Sequence, residues 1–281
     1  MVVNGLEIPY RVFAIPVMPG ERVRLRSPER PAAALAITAA AGVLSPAGTD
    51  RWSWEAPRTP GLHVVRIVET ASGEAMTLNV LVLTTRSRKV DGRIEGYRIG
   101  HYPRDPYRGL EAYTPPPGFI RVDRELAALP VSPHFTLGQF LAKQRSGWPK
   151  FVLVSPEALL VLERLLEVVN ERGIRTDGFA VLSGYRTPFY NRAIGNGRHS
   201  RHQWGDAMDI YVDEGPPHGR MDDLDGDGRS TVEDARYLAA LAREVLAELD
   251  VEGGLGIYGP ASHRGAFVHV DVRGFRARWE F

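Results

Sequence analysis

The 281-residue sequence contains no cysteine. That excludes disulfides, thiolate metal sites and a cysteine nucleophile, so any metal site must be built from histidine and carboxylate. It also lacks an excess of either charge. Lys and Arg number 35 against 34 Asp and Glu, a net charge of +1. Bulk charge therefore offers no field for nucleic acid or an anionic membrane surface. No apolar run approaches the ~18 residues that span a bilayer. The opening stretch, MVVNGLEIPYRVF, has no basic segment followed by an apolar one. The expectation is either a cytosolic protein or a chain that begins after a removed signal. Internal repeats and low-complexity tracts are absent as well. Nothing in the sequence sets an oligomeric state.

What is present is an ordinary globular balance, 43% hydrophobic and 25% charged. The length suits one large domain or two smaller ones. Residues 1–83 read as all-β. Tyr10–Val17, Glu21–Arg26, Ala33–Ile37, Arg51–Trp54, Leu62–Glu69 and Met76–Leu83 are short runs of Val, Ile, Leu and aromatics. Pro19-Gly20, Pro60-Gly61 and Ser72-Gly73 punctuate them. So many short strands predict a small immunoglobulin-like β-sandwich, similar in architecture only, since the cysteine pair is missing. His63 reads as a strand histidine. Residues 84–118 are rich in Arg, Gly, Pro and Tyr and read as an extended linker that packs on something through Tyr97, Tyr102, Tyr107 and Tyr113.

Residues 119–281 read as α+β with a small antiparallel sheet. A short helix is expected over Thr136–Gln144, capped by Thr136. Ser155–Arg172 gives the strongest helical pattern, with Ser155 as cap, Pro156 in the first turn and Gly173 at the end. Gly178–Leu182 reads as a strand, Val232–Leu249 as an amphipathic helix and Phe267–Val272 as the last strand.

The chemistry concentrates in SGYRTPFYNRAIGNGRHSRHQWGDAMDIYVD, residues 183–213. His202 and Asp209 lie seven positions apart, with the small residues Gly205 and Ala207 between them. A third candidate ligand, His269, lies far downstream in AFVHVDV. Zinc takes four ligands, and catalytic sites leave one position to water. Asp209 heads the strand DIYV, so a strand pair could bring it to His269. Arg186 offers a planar fork suited to a carboxylate or an oxyanion. Tyr258, in GGLGIYG, could donate to an oxyanion or simply pack. His199 is expected to be solvated, and Ser200 to hydrogen-bond a turn.

SGYRTP-x2-N, S-x-H-x2-G-x-A-x-D-I, GGLGIYG and FVHVDV-R…RW together resemble the zinc D-Ala-D-Ala carboxypeptidases and murein endopeptidases, the LAS-type metallopeptidases. The resemblance covers about residues 119–281. It implies that His202, Asp209 and His269 hold zinc. It implies that Arg186 faces a substrate carboxylate or the developing oxyanion. It further implies that the substrates are peptide bonds of the peptidoglycan stem peptide or cross-link, which lie outside the cytoplasmic membrane. Better-known members place an acidic residue or a histidine two or three positions before the last zinc histidine. This chain has Ala266 and Phe267 there. Asp271, His263 and Asp206 are then the candidates for the general base, and Asp271 could instead orient a ligand.

Between the second and third ligands, DLDGDGRSTVED (residues 223–234) fits the calcium-loop template, and resembles dockerin loops in ending on Asp. Asp223, Asp225 and Asp227 take its first, third and fifth positions and Gly228 the sixth. Arg229, Thr231 and Asp234 take the seventh, ninth and twelfth. The entering segment, GPPHGRM, is not expected to be helical, which leaves half an EF-hand. The sequence thus predicts a zinc peptidase with a structural calcium ion, or a catalytically weak stem-peptide binder of the same fold.

Overall fold

The structure is a computed structural model that describes residues 1–29, 31–215 and 218–281. The chain forms two units. The first holds residues 1–97, 116–138 and 146–151, and the second holds 98–115, 139–145 and 152–281. These units part the chain at other places than the boundaries at 83 and 118 suggested by composition. Residues 98–115 go with the second unit and 119–138 with the first.

The first unit is mostly β. One sheet runs Leu6–Glu7, Val2–Val3, Arg22–Arg26, Arg51–Glu55, Val43–Pro46. A second runs Val12–Val17, Ala75–Val82, Gly61–Glu69, Leu35–Ala39, with the first pair parallel and the others antiparallel. Alternation decides the faces. Arg22, Arg24 and Arg26 are exposed while Val23 and Leu25 are buried. Trp54 is fully buried, and its indole N–H donates to the Ala41 carbonyl at 3.0 Å. The six expected strands are present with ends shifted by a residue or two. Val2–Val3, Leu6–Glu7 and Val43–Pro46 were not expected. Strands of two residues carry no periodicity, and Val43–Pro46 is an edge strand ending in proline.

The helix expected over Thr136–Gln144 does not form. Only Leu137–Phe140 turns, as a 3-10 helix, and Thr136 pairs with Pro130 in a β-bridge instead of capping. Gly138 approaches Ala127 so closely that a Cβ would lie 2.8 Å from the Ala127 carbonyl oxygen. Backbone contact outweighs helix propensity here.

The second unit is built on a five-stranded sheet. Its strands are β1 (Ala180–Ser183), β2 (Ala207–Tyr211), β3 (Gly254–Tyr258), β4 (Phe267–Asp271) and β5 (Ala277–Glu280), in the order β1-β2-β4-β3-β5. Helix α1 (Pro156–Glu171) starts where Ser155 Oγ accepts from the Ala158 amide at 3.4 Å and Pro156 needs no partner for its nitrogen. Its stripe of Leu159, Leu162, Leu165, Leu166 and Val169 is buried. After the short helix α2 (Pro188–Ala193) comes α3 (Val232–Glu248), which opens on a capping box between Thr231 and Asp234. α1 packs on α3, and α3 on β3 and β4. Met208, Ile210, Leu255, Val268 and Val270 supply the buried apolar face of the sheet. The alternate residues face the other way and carry the chemistry. No helix among the described residues is long and apolar enough to cross a membrane.

Candidate functional site

The register brings one residue from each strand into a single row: Ser183 opposite Asp209, Asp209 opposite His269, His269 opposite Gly256, and Gly256 opposite Trp279. Directly opposed residues project to the same face of a sheet. His202 joins them from a 3-10 turn, Arg201–Trp204. That turn ends on Gly205 with φ +75°, and a Cβ there would lie 2.3 Å from the Leu153 carbonyl oxygen. Only glycine meets both demands. The turn is also held by residues 98–115: Tyr102 Oη donates to the Gln203 carbonyl at 2.7 Å, Arg201 Nη1 to the Ala112 carbonyl at 2.7 Å, and Trp204 Nε1 to the Thr114 carbonyl at 2.9 Å.

His202, Asp209 and His269 are all buried. His202 Nε2 lies 3.1 Å from Asp209 Oδ1 and 3.2 Å from His269 Nδ1, and His269 Nδ1 lies 2.8 Å from Asp209 Oδ1. The far nitrogen of each ring is already used. His202 Nδ1 lies 2.7 Å from the Gly184 carbonyl, which can only accept, so Nδ1 carries the hydrogen. His269 Nε2 lies 2.9 Å from Asp271 Oδ2 and donates to it. Both facing nitrogens are thereby left as acceptors, beside a carboxylate oxygen. Three acceptors meeting in a buried place require a cation. A proton is one answer. The hydrogen bonds and charge of Asp209 and Asp271 outweigh burial and push His269 up to about 9, while burial lowers His202. A divalent metal is the other, and the donor set fits zinc. A tetrahedron of ligands ~2.0–2.1 Å from the ion has edges of ~3.3 Å. The three residues could hold a metal ion.

Burial alone would raise Asp209, but His202 and His269 beside it hold it well below the usual carboxylate range. Its second oxygen accepts from Arg186 Nη2 at 2.5 Å, while Arg186 Nε donates to Ser183 Oγ at 2.7 Å. Arg186 thus stands beside the centre with its fork turned to a ligand. Asp271 sits behind His269. Besides His269 it accepts from Arg273 Nε, at 2.8 Å to Oδ1 and 3.0 Å to Oδ2, with a closer contact from Arg273 Nη2, and from the Gly254 amide at 3.0 Å. Burial alone would raise it, yet Arg273 and His269 hold it far below the usual range. Asp206 is buried against Arg201, in a two-pronged pair that includes a bond of 3.1 Å from Arg201 Nε. Tyr258 lies on the same face as Gly256, and its hydroxyl accepts from Trp279 Nε1 at 2.9 Å.

Other residues singled out from the sequence take no part in these contacts. His263 is exposed, on a turn closed by an Ala261–Arg264 bridge. His199, expected to be solvated, packs on the Tyr107 ring at 5.0 Å, and burial lowers its pKa. Asp223, Asp225 and Asp227 come together, exposed to solvent. Asp223 accepts from the Gly226 and Gly228 amides, each at 2.7 Å, and Gly228 has φ +83°. Asp234 is buried and turned to the backbone, accepting from Leu224 at 2.7 Å and Thr231 at 2.6 Å. Thr231 Oγ1 accepts from the Glu233 amide at 3.1 Å, as the helix cap. Arg229 is exposed. Pro216 and Pro217 of the entering segment lie outside the described residues, and its other residues form no helix. A cavity of about 940 Å³ is lined by α3 residues with Leu255, Ile257 and Arg278, and by none of the three candidate ligands.

Gly256, Arg273 and Trp279 stand within the quoted motifs GGLGIYG and FVHVDV-R…RW but are given no role of their own there. The signal was the run GGLGIY, where Gly254 and Gly256 alternate along a strand and mark a place that other side chains cross.

No curated protein and no solved structure matches the chain. A family model described as Peptidase M15 matches residues 133–223. The matched stretch, which supplies Arg186, His202 and Asp209, is thus similar to Peptidase M15, a zinc-dependent family, in line with the resemblance carried by the SGYR and SRHQWGDAMDI motifs.

Proposed function

We propose that the second unit hydrolyses peptide bonds of peptidoglycan stem peptides or cross-links, as a D,D-carboxypeptidase or murein endopeptidase that uses zinc. The observation that supports this most is the meeting of three acceptor atoms, from His202, Asp209 and His269, within 3.2 Å of one another. Zinc held there would lower the pKa of a bound water toward ~7 and polarise the scissile carbonyl. The chain's own residues do the rest. Gly184 and Asp271 fix the ring tautomers, so each imidazole presents a lone pair. Asp271 is read as a positioning residue that acts through His269, a reading supported by the bonds its oxygens accept from Arg273, Gly254 and His269. Asp206 is committed to Arg201 in the same way. His263 is the remaining candidate to take a proton from water and return it to the leaving amine. In the reaction a C–O bond forms to the carbonyl carbon, the C–N bond breaks, and a proton from water ends on the amine. Arg186 neutralises Asp209 and meets substrate with its remaining donors.

The position of Phe267, where related enzymes carry a titratable group, favours a second reading: a stem-peptide binder that does not cut. Incubation with peptidoglycan fragments separates the two. Release of D-Ala or cross-link fragments, lost in His202→Ala, supports the peptidase. Full zinc occupancy without cleavage favours the binder, and a chain with no tightly bound zinc removes both. Because such substrates lie outside the cytoplasmic membrane, the proposal includes export.

Asp223, Asp225 and Asp227 are proposed to hold a structural calcium ion, with the Arg229 carbonyl completing the loop. Asp234 and Thr231 would then serve the loop by capping α3. The first unit is read as an immunoglobulin-like accessory domain.

A further inference from the structure

The row of candidate ligands ends on Trp279. Gly256 separates it from His269 in register, and a Cβ on Gly256 would lie 2.3 Å from Trp279 Nε1. Because that atom is missing, the indole lies across β3 and meets the His269 ring, centroids 5.1 Å apart. Arg273, which clamps Asp271, stands over the same indole at 5.1 Å. The indole N–H donates to Tyr258 at 2.9 Å.

An indole nitrogen only donates. Trp279 therefore takes a lone pair of the Tyr258 oxygen and leaves the phenol's own hydrogen to point at something else. The Tyr258 ring is stacked on Phe267, centroids 4.5 Å apart and 6° from parallel. Phe267 is also its cross-strand partner. Position 267 is thus apolar, and a hydroxyl stands directly opposite it on the next strand. Burial raises Tyr258, so it keeps its proton at neutral pH.

We propose that Tyr258 donates a hydrogen bond to the oxygen of the scissile carbonyl as that oxygen gains negative charge, and that Trp279 is the positioning residue that fixes Tyr258 as a donor. The proposal rests on the peptidase reading. When water adds to the carbonyl carbon, the C=O electron pair moves to oxygen and the Tyr258 O–H lies against it without releasing its proton. When the carbonyl re-forms, the C–N pair leaves with the amine, which takes its proton from the added water. Arg186, whose Nε and Nη2 are engaged by Ser183 and Asp209, meets substrate through its other donors and does not replace Tyr258.

The test uses the zinc-loaded full chain and a dipeptide phosphinate, a tetrahedral anion that imitates the charged oxygen. Tyr258→Phe should bind it about 10²-fold more weakly, the usual loss for one such donor, with zinc content unchanged. Turnover should fall by a similar factor through kcat, with KM little changed. Trp279→Phe should show a smaller loss of the same kind, and the double variant should be no worse than Tyr258→Phe alone. The Trp279 indole N–H resonance should move in Tyr258→Phe. Equal phosphinate binding by wild type and Tyr258→Phe overturns the donor role. Additive losses in the double variant overturn the positioning role. A wild-type protein that does not bind the phosphinate fails the peptidase reading, and the donor role with it, while the indole shift still reports the Trp279–Tyr258 bond.

Discussion

Two sets of candidate metal ligands, one around Asp209 and one at Asp223, Asp225 and Asp227, differ in nearly every physical respect. Asp209 is buried, and its partners come from a separate turn and from a strand sixty residues on. Asp223, Asp225 and Asp227 are exposed and lie within one loop, whose turns bring them together. The first group is assembled by sheet register, the second by local chain geometry. A buried site needs its neighbours to neutralise it at all times, whereas an exposed loop is screened by water whether or not an ion is bound. Damage to the first should therefore be large and shared by the whole unit, and damage to the second small and dependent on the ion.

The largest expected effect comes from His269→Ala. It removes one of three ligands from the centre of the row. Zinc per chain, measured by elemental analysis, should fall from about one toward zero, and cleavage of a stem peptide should fall by on the order of 10³-fold or more. Gly205→Ala should come next. The new Cβ lies 2.3 Å from the Leu153 backbone at φ +75°, so unfolding in urea should show a loss of about 3 kcal/mol.

Asp271→Asn sharpens the comparison through pH. The folded-state pKa of Asp271 lies below its unfolded value, so the native state binds fewer protons and gains stability above the ordinary carboxylate pKa. That contribution is present above pH ~4 and is lost as pH falls further. In metal-free protein at pH 7 the variant should be less stable by about 3 kcal/mol, because it leaves Arg273 and His269 short of a buried partner. The gap to wild type should narrow between pH ~4 and ~2. If the gap is constant with pH, Asp271 is not the charged partner of His269. Zinc affinity should fall about 10–100-fold in the same variant.

The loop should respond less. Asp234→Ala removes the capping box and should cost about 1–2 kcal/mol with or without calcium. Asp225→Ala should be nearly neutral in chelator and should abolish the rise in melting temperature on adding calcium. If calcium add-back leaves the wild-type melting temperature unchanged, the calcium proposal is wrong.

Much of the local structure is legible in the sequence. Ser155-Pro156 and Gly173 bracket α1 because capping chemistry acts within a turn of the chain. The alternation in RVRLR fixed a strand and its faces for the same reason. The 3-10 turn at Leu137–Phe140 was not legible, because close approach to Ala127 decided it. The sequence offers Asp271 as either base or ligand-orienting group, and alternation puts it on the same strand face as His269. The contacts of Asp271 with Arg273 and the Gly254 amide, which favour the orienting role, depend on the pairing of β3 with β4 and could not be read from the sequence.

The sequence by itself determined the residue types that can hold a metal here, since without cysteine only histidine and carboxylate remain. It also determined the family-bearing segment and the loop geometry of Asp223–Asp227, all of which are short-range. Only the tertiary structure decided which atoms face one another. The row Ser183–Asp209–His269–Gly256–Trp279 takes one residue from each of five strands. A slip of one residue in any pairing would turn that strand's member to the opposite face. Register is set by burying Met208, Ile210, Val268 and Val270 beneath the helices, so the apolar face of the sheet fixes the chemistry on the other.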